Sequence, residues 1–147
     1  MIILVSACLI GRNCKYDGGN NRNEWVEELG KRHTLIPVCP EVLGGLPVPR
    51  IPCEIVGGTV MNRDGLNVDG AFRTGAEAAL KIAEESGTEL AILQSRSPSC
   101  GVREIYDGTF SGKKIPGSGV FASLLKENGF RVFDVSDAPD ELTDLTS

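Results

Sequence analysis

Three cysteines, Cys8, Cys39 and Cys100, sit where a short apolar run gives way to Ser, Pro or Gly. Ile2-Ile3-Leu4-Val5-Ser6-Ala7 runs into Cys8, and Thr34-Leu35-Ile36-Pro37-Val38 runs into Cys39-Pro40-Glu41. Leu90-Ala91-Ile92-Leu93 empties into Gln94-Ser95-Arg96-Ser97-Pro98-Ser99-Cys100-Gly101. An apolar run that stops in turn-forming residues reads as a buried strand ending in a loop. Thiols delivered this way suit several chemistries. A structural zinc takes four ligands, with its cysteines usually closely spaced, and no C-x-x-C pair occurs here. A catalytic zinc with three cysteines and an open position fits the pattern. So does an iron–sulfur cluster, which thiolates hold; three of them on a [4Fe–4S] cluster leave one iron free to act as a Lewis acid. A cysteine nucleophile wants a histidine base, and the one histidine, His33, precedes the second run and belongs at its opposite end.

Other residues gather around these sulfurs. Glu41 follows Cys39 by two positions in a loop stiffened by Pro40, so its carboxyl could carry protons there. Ser95, Ser97 and Ser99 could bring a hydroxyl to the same pocket, or could simply form the turn. Arg50 and Arg96 are candidates for anion contacts. Cys14 and Cys53 fall outside the strand-end pattern and are read as non-ligands. Five cysteines is an odd count. Met1 leads into strand residues without a basic region and small-residue cleavage site, so no signal peptide is expected. The expected setting is cytoplasmic, where thiols stay reduced, which argues against a disulfide framework.

The elements that must position these groups follow from the pattern. A chain of 147 residues suits one domain, 1–147. Its apolar fraction of 41% and charged fraction of 24% are ordinary for a globular protein. Aromatics at 5% leave the core to Val, Ile, Leu and Ala. A net charge of −5 argues against a broad grip on nucleic acid. No apolar run reaches the roughly 18–20 residues of a membrane span. A short helix is expected from Asn23, as its cap, to Gly30, and a longer one from Gly70 to Glu85 with Gly87 as its stop. Gly119–Asn128 reads as the last helix and Phe130–Phe133 as a fourth strand. Between Cys39 and Glu54 the density of Pro and Gly predicts a stiff loop without regular structure. Ile55–Val68 reads as a hairpin turning at Asp64-Gly65. Tyr16-Asp17-Gly18 recurs as Tyr106-Asp107-Gly108, which suggests one kind of turn used in two loops. The tail beyond Ala138 is acidic and expected to fray. Alternating strands and helices predict an α/β fold: a small, parallel, Rossmann-like sheet sandwiched by helices, with a Gly/Pro-rich insertion. In such sheets ligands bind beyond the carboxyl ends of the strands, where all three cysteines fall.

Ser6-Ala7-Cys8-Leu9, Tyr16-Asp17-Gly18, Pro37-Val38-Cys39-Pro40-Glu41 and Gly44-Gly45-Leu46-Pro47-Val48-Pro49-Arg50 occur in that order. Ser97-Pro98-Ser99-Cys100-Gly101 and Tyr106-Asp107-Gly108-Thr109-Phe110 follow. This series resembles the domain of unknown function 523 (DUF523) family, whose characterised branch is the TudS-type thiouracil desulfidases. The resemblance implies an oxygen-sensitive [4Fe–4S] cluster on Cys8, Cys39 and Cys100, supplied by cluster-assembly machinery. It implies removal of sulfur from a thiolated pyrimidine, either 2-thiouracil or a 4-thiouracil nucleotide, with release of hydrogen sulfide and no net redox. It implies a Glu and a Ser as proton carriers. Glu41 matches the first, and the second falls within Ser95 to Ser99: Ser95 and Ser97 are taken as catalytic, Ser99 and Arg50 as substrate-binding. A small-molecule substrate is expected, rather than nucleic acid or a membrane. The competing reading is a non-catalytic module carrying a cluster or zinc for sulfur storage or sensing.

Overall fold

Four parallel strands form the central sheet of the computed structural model, which describes residues 1–146. They are β1 (Ile2–Ser6), β2 (Thr34–Val38), β5 (Leu90–Leu93) and β8 (Arg131–Asp134), in the order β2-β1-β5-β8. Side chains alternate across the pleat. Ile3, Val5, Leu90 and Ile92 pack with Val26 and Leu29 of α1 (Glu24–Leu29) and with Ala138 of α5 (Ala138–Glu141). Leu4, Ala91 and Leu93 point the other way. They meet Phe72 and Ala76 of α3 (Asp69–Ser86) and Phe121 and Leu125 of α4 (Val120–Glu127). Helices therefore cover both faces, as the unbroken apolar strands require. The chain steps from β1 outward to β2, then crosses back to β5 on the other side of β1. The reversal in strand order lies between β1 and β5, and a ligand crevice belongs there. No helix among the described residues is long and apolar enough to cross a membrane.

The stretch after β2 departs from the expected structureless loop. Pro40–Leu43 forms a short helix, α2, with Cys39 as its N-cap residue. Pro40 at the first helical position loses nothing, because its missing N–H would have had no intrahelical partner. This helix lies backbone-to-backbone on α3. A Cβ built on Gly75 would sit 1.8 Å from the carbonyl oxygen of Pro40, and one on Gly44 would sit 2.0 Å from that of Ala71. Only hydrogen fits at either place. The irregular segment resumes after Gly44 and contains a cis Val48-Pro49 bond.

Two small antiparallel pairs flank the main sheet. β3 (Cys53–Val56) pairs with β4 (Thr59–Asn62), turning at Gly57-Gly58 rather than at Asp64-Gly65. Both glycines have positive φ, +57° and +85°, which a tight two-residue hairpin demands. Asp64-Gly65 makes the next turn, where the Gly65 N–H donates to the Asn62 carbonyl at 3.0 Å. β6 (Glu104–Tyr106) and β7 (Lys114–Pro116) form a second ribbon that three-residue strands do not announce in the sequence. The tail is docked rather than frayed. Ala138, Leu142 and Leu145 recur at helical spacing and are buried against the β1 face. Ser147 lies outside the described residues.

Substituting Gly75→Ala should destabilise the protein by about 1–3 kcal/mol or more, since backbone rather than a flexible side chain must give way. The shift should also displace Cys39 and Glu41. Urea unfolding checks the first effect, and a stability equal to wild type would contradict the close packing of α2 on α3.

Candidate metal centre

Beyond the carboxyl ends of β1, β2 and β5 lies a cavity of about 520 Å³. Cys8, Cys39 and Cys100 all line it, as the strand-end pattern predicts. Cys14 and Cys53 line it too, which the strand-end pattern could not reveal, because a loop delivers Cys14 and Cys53 opens the small strand β3. Among the described residues no three His, Cys, Asp or Glu side chains are grouped so that they could hold one metal ion. The donors are spread around a cavity wall. A tetrahedral zinc draws its sulfurs to about 2.3 Å from one centre, whereas a cluster takes each thiolate on a different iron. Five cysteine sulfurs line the cavity beside the carboxylates of Glu41 and Glu54, and no imidazole does, a set weighted toward sulfur as iron–sulfur chemistry requires.

Each of the three strand-end sulfurs has its own polar neighbour. Asn21 donates from Nδ2 to Cys8 Sγ at 3.6 Å. Burial pushes the Cys8 thiol up, and the Asn21 bond partly offsets it. Cys39 is drawn down to about 7 by a hydrogen bond with Cys14; burial opposes this and the Val42 N–H assists. Its Sγ lies 3.8 Å from the Cys14 carbonyl oxygen. Cys100 is buried, which drives its thiol well up, while Ser6 and Ser99 bring hydroxyls to it. A positively charged group in this cavity would reverse the cost of ionising these thiols.

Glu41 sits at the start of α2 on the cavity wall, with its side chain 16% exposed. Its Oε2 accepts from Arg50 Nη2 at 2.8 Å, and Oε1 makes no hydrogen bond among the described residues. Burial raises the Glu41 carboxyl despite the neighbouring guanidinium. Arg50, only 5% exposed at its side chain, also donates to the Cys14 carbonyl at 2.9 Å and to that of Pro47 at 3.2 Å. One guanidinium thus ties the Cys14 loop to Glu41.

The serines occupy distinct places. Ser97 Oγ accepts the backbone N–H groups of Ser99 and Cys100 at 3.1 and 3.0 Å, and lies 3.0 Å from Ser99 Oγ. Ser99 is 1% exposed and donates to Cys100 Sγ at 3.7 Å. Ser95 lines the cavity and donates to Asp134 at 2.7 Å. Arg96 pairs with Glu104 at 3.4 Å. It and Phe110 are the non-glycine residues with positive φ among those described, at +63° and +55°, and both line the cavity. Such strain concentrates at functional sites.

The two Tyr-Asp-Gly triplets do make one kind of turn. Asp17 accepts the Gly19 N–H at 2.9 Å and Asp107 accepts the Thr109 N–H at 3.0 Å. Tyr16 and Tyr106 both face the cavity wall. Glu54, which sequence reasoning passed over, holds the second loop by accepting from Gly108 and Phe110 at 2.9 and 3.1 Å. Asn21 was likewise missed, since an asparagine in a polar loop carries no signal of its own.

A family model described as 2-thiouracil desulfurase matches residues 3–137. The protein YbbK of Bacillus subtilis (strain 168) is 42% identical over 151 residues, covering 96% of this chain and 100% of that protein. A solved structure, the [4Fe–4S]-dependent thiouracil desulfidase TudS, superposes with a TM-score of 0.91 at 40% identity. It covers 98% of this chain and 97% of that one.

Asp134 anchors the Ser95 side of the cavity. It is 2% exposed, at the end of β8, and also accepts the Ser136 N–H at 2.9 Å. Burial alone would raise its carboxyl, but hydrogen bonds from Ser136 and Ser95 outweigh it and hold the group below its ordinary value. A depressed carboxylate stabilises the fold above its unfolded pKa of about 3.9, and that contribution is lost as pH falls through the lower folded value. Asp134→Asn should therefore cost about 1–3 kcal/mol at pH 7. The gap from wild type should close in acid, as urea unfolding at both pH values would show; a constant gap would contradict a charge-dependent anchor.

Proposed function

The chain belongs to the 2-thiouracil desulfurase family, and we infer from that premise that it is a [4Fe–4S]-dependent thiouracil desulfidase. The observation that carries this is the match of fold and sequence to such an enzyme over nearly the whole chain. The cavity at the sheet's switch point supports it with sulfur donors spread around one wall.

Cys8, Cys39 and Cys100 are the residues we assign to the cluster. A bound [4Fe–4S] cluster with one iron lacking a protein ligand supplies a soft Lewis acid suited to a thiocarbonyl sulfur. The overall reaction replaces that sulfur with the oxygen of water, giving uracil and hydrogen sulfide, and exchanges no electrons. Glu41 serves as proton carrier. Arg50 fixes Oε2, which leaves Oε1 for water or the ring. Ser95 and Ser97 are the hydroxyls assigned to the same proton traffic. Arg50 and Ser99 border the substrate and act through their neighbours, Arg50 through Glu41 and Ser99 through the Cys100 sulfur. The substrate is a thiolated pyrimidine, 2-thiouracil or a 4-thiouracil nucleotide. The chain works as one domain, in the cytoplasm, is oxygen-sensitive when loaded, and receives its cluster from assembly machinery.

Anaerobic reconstitution followed by iron and sulfide analysis tests the ligands. Cys8→Ala, Cys39→Ala and Cys100→Ala should each lose the broad absorbance near 400 nm that wild type shows, at about four irons per chain. Cys14→Ala should keep it. A full cluster in Cys100→Ala would contradict the assignment. Turnover of 2-thiouracil and 4-thiouridine monophosphate, read by sulfide release, then fixes the substrate. Glu41→Gln should hold its iron but lose about 10²–10⁴-fold in rate, and unchanged turnover would remove Glu41 from the chemistry.

A further inference from the structure

Two of the proposed ligand sulfurs each receive a side-chain hydrogen bond, and the two donors come from different segments. Asn21 Nδ2 donates to Cys8 Sγ at 3.6 Å, and Ser99 Oγ to Cys100 Sγ at 3.7 Å. The direction of the second bond is fixed by what lies behind it. Ser97 Oγ already accepts two backbone N–H groups, so its proton turns to Ser99 Oγ and the Ser99 proton turns to sulfur. At Cys39 the sulfur lies 3.8 Å from the Cys14 carbonyl, which Arg50 holds at 2.9 Å. Once Cys39 is ligated it has no proton to give that carbonyl.

We propose that Asn21 and Ser99 each donate to a different cluster-ligand sulfur and together tune the cluster, drawing electron density from the thiolates. This rests on the assignment of Cys8, Cys39 and Cys100 as ligands. Hydrogen bonds to ligand sulfurs favour the more negative, reduced state and so raise the reduction potential. They also leave the irons more electron-poor, and the iron without a protein ligand a stronger acid toward a substrate sulfur. Both act here as positioning residues, through the ligand sulfurs rather than by reacting themselves.

Potentiometric titration of the reconstituted protein, followed by electron paramagnetic resonance, reads the effect apart from turnover. Asn21→Ala and Ser99→Ala should each shift the one-electron equilibrium about tenfold toward the oxidised cluster, about 59 mV more negative. Asn21→Asp should go further, because it sets a negative oxygen against the thiolate, and Ser99→Thr should stay near wild type. In unmutated protein the iron–cysteine stretching bands should move when the solvent is changed to D₂O, which covers variants that fail to fold. Fully loaded variants with the wild-type potential, or bands unmoved in D₂O, would overturn the tuning while leaving the ligand set standing. A wild-type protein that takes up no cluster would instead overturn the reading beneath it.

Discussion

Parallel pairing of β1 with β2 on one side and β5 on the other brings three distant parts of the chain to the same level. Ser6 lies beside Val38, and Val5 beside Ile92, so the three strands leave the sheet together. Cys8 and Cys39 follow their strands closely, and Cys100 comes at the end of the loop that leaves β5. A one-residue slip in either pairing would turn the buried side chains of a strand to the wrong face. The register is therefore held by the apolar layers above and below it. The sulfurs inherit that rigidity. A site on strand ends is positioned by the core, whereas one on long loops would have to be positioned by itself.

The second constraint is the contact of α2 with α3. With no room for a Cβ at Gly44 or Gly75, the helix that begins at Cys39 and carries Glu41 cannot slide along its neighbour. Arg50 then closes the arrangement from the other side, joining Glu41 to the Cys14 loop. A buried ion pair is costly in isolation. Here the guanidinium also satisfies two carbonyls, which explains how it is held in the cavity wall. Cys39, Cys14, Glu41 and Arg50 consequently behave as one unit.

Much of this was legible in the sequence, for physical reasons. Buried parallel strands such as Ile2–Ser6 and Leu90–Leu93 are continuously apolar, and Phe72, Ala76, Ala79 and Ala83 mark a helix face by spacing alone. Cys8, Cys39 and Cys100 could be placed together because strand ends in such sheets share one side. What stayed hidden depends on tertiary contact. Whether Gly57-Gly58 or Asp64-Gly65 turns the hairpin is a competition between two acceptable turns, settled by which strands pair. The acidic tail docks through Ala138, Leu142 and Leu145, three apolar residues outnumbered by polar ones. Asn21 and Cys14 reach the site from a loop whose path no periodicity describes.

In the proposed site three thiolates hold a four-iron cluster and the last iron is left for the substrate sulfur. Mössbauer spectroscopy of ⁵⁷Fe-reconstituted protein, with and without 2-thiouracil, tests it most directly. One iron should stand apart from the other three, and only that iron should change when the thiocarbonyl compound is added. Four equivalent thiolate-ligated irons, indifferent to 2-thiouracil, would contradict it.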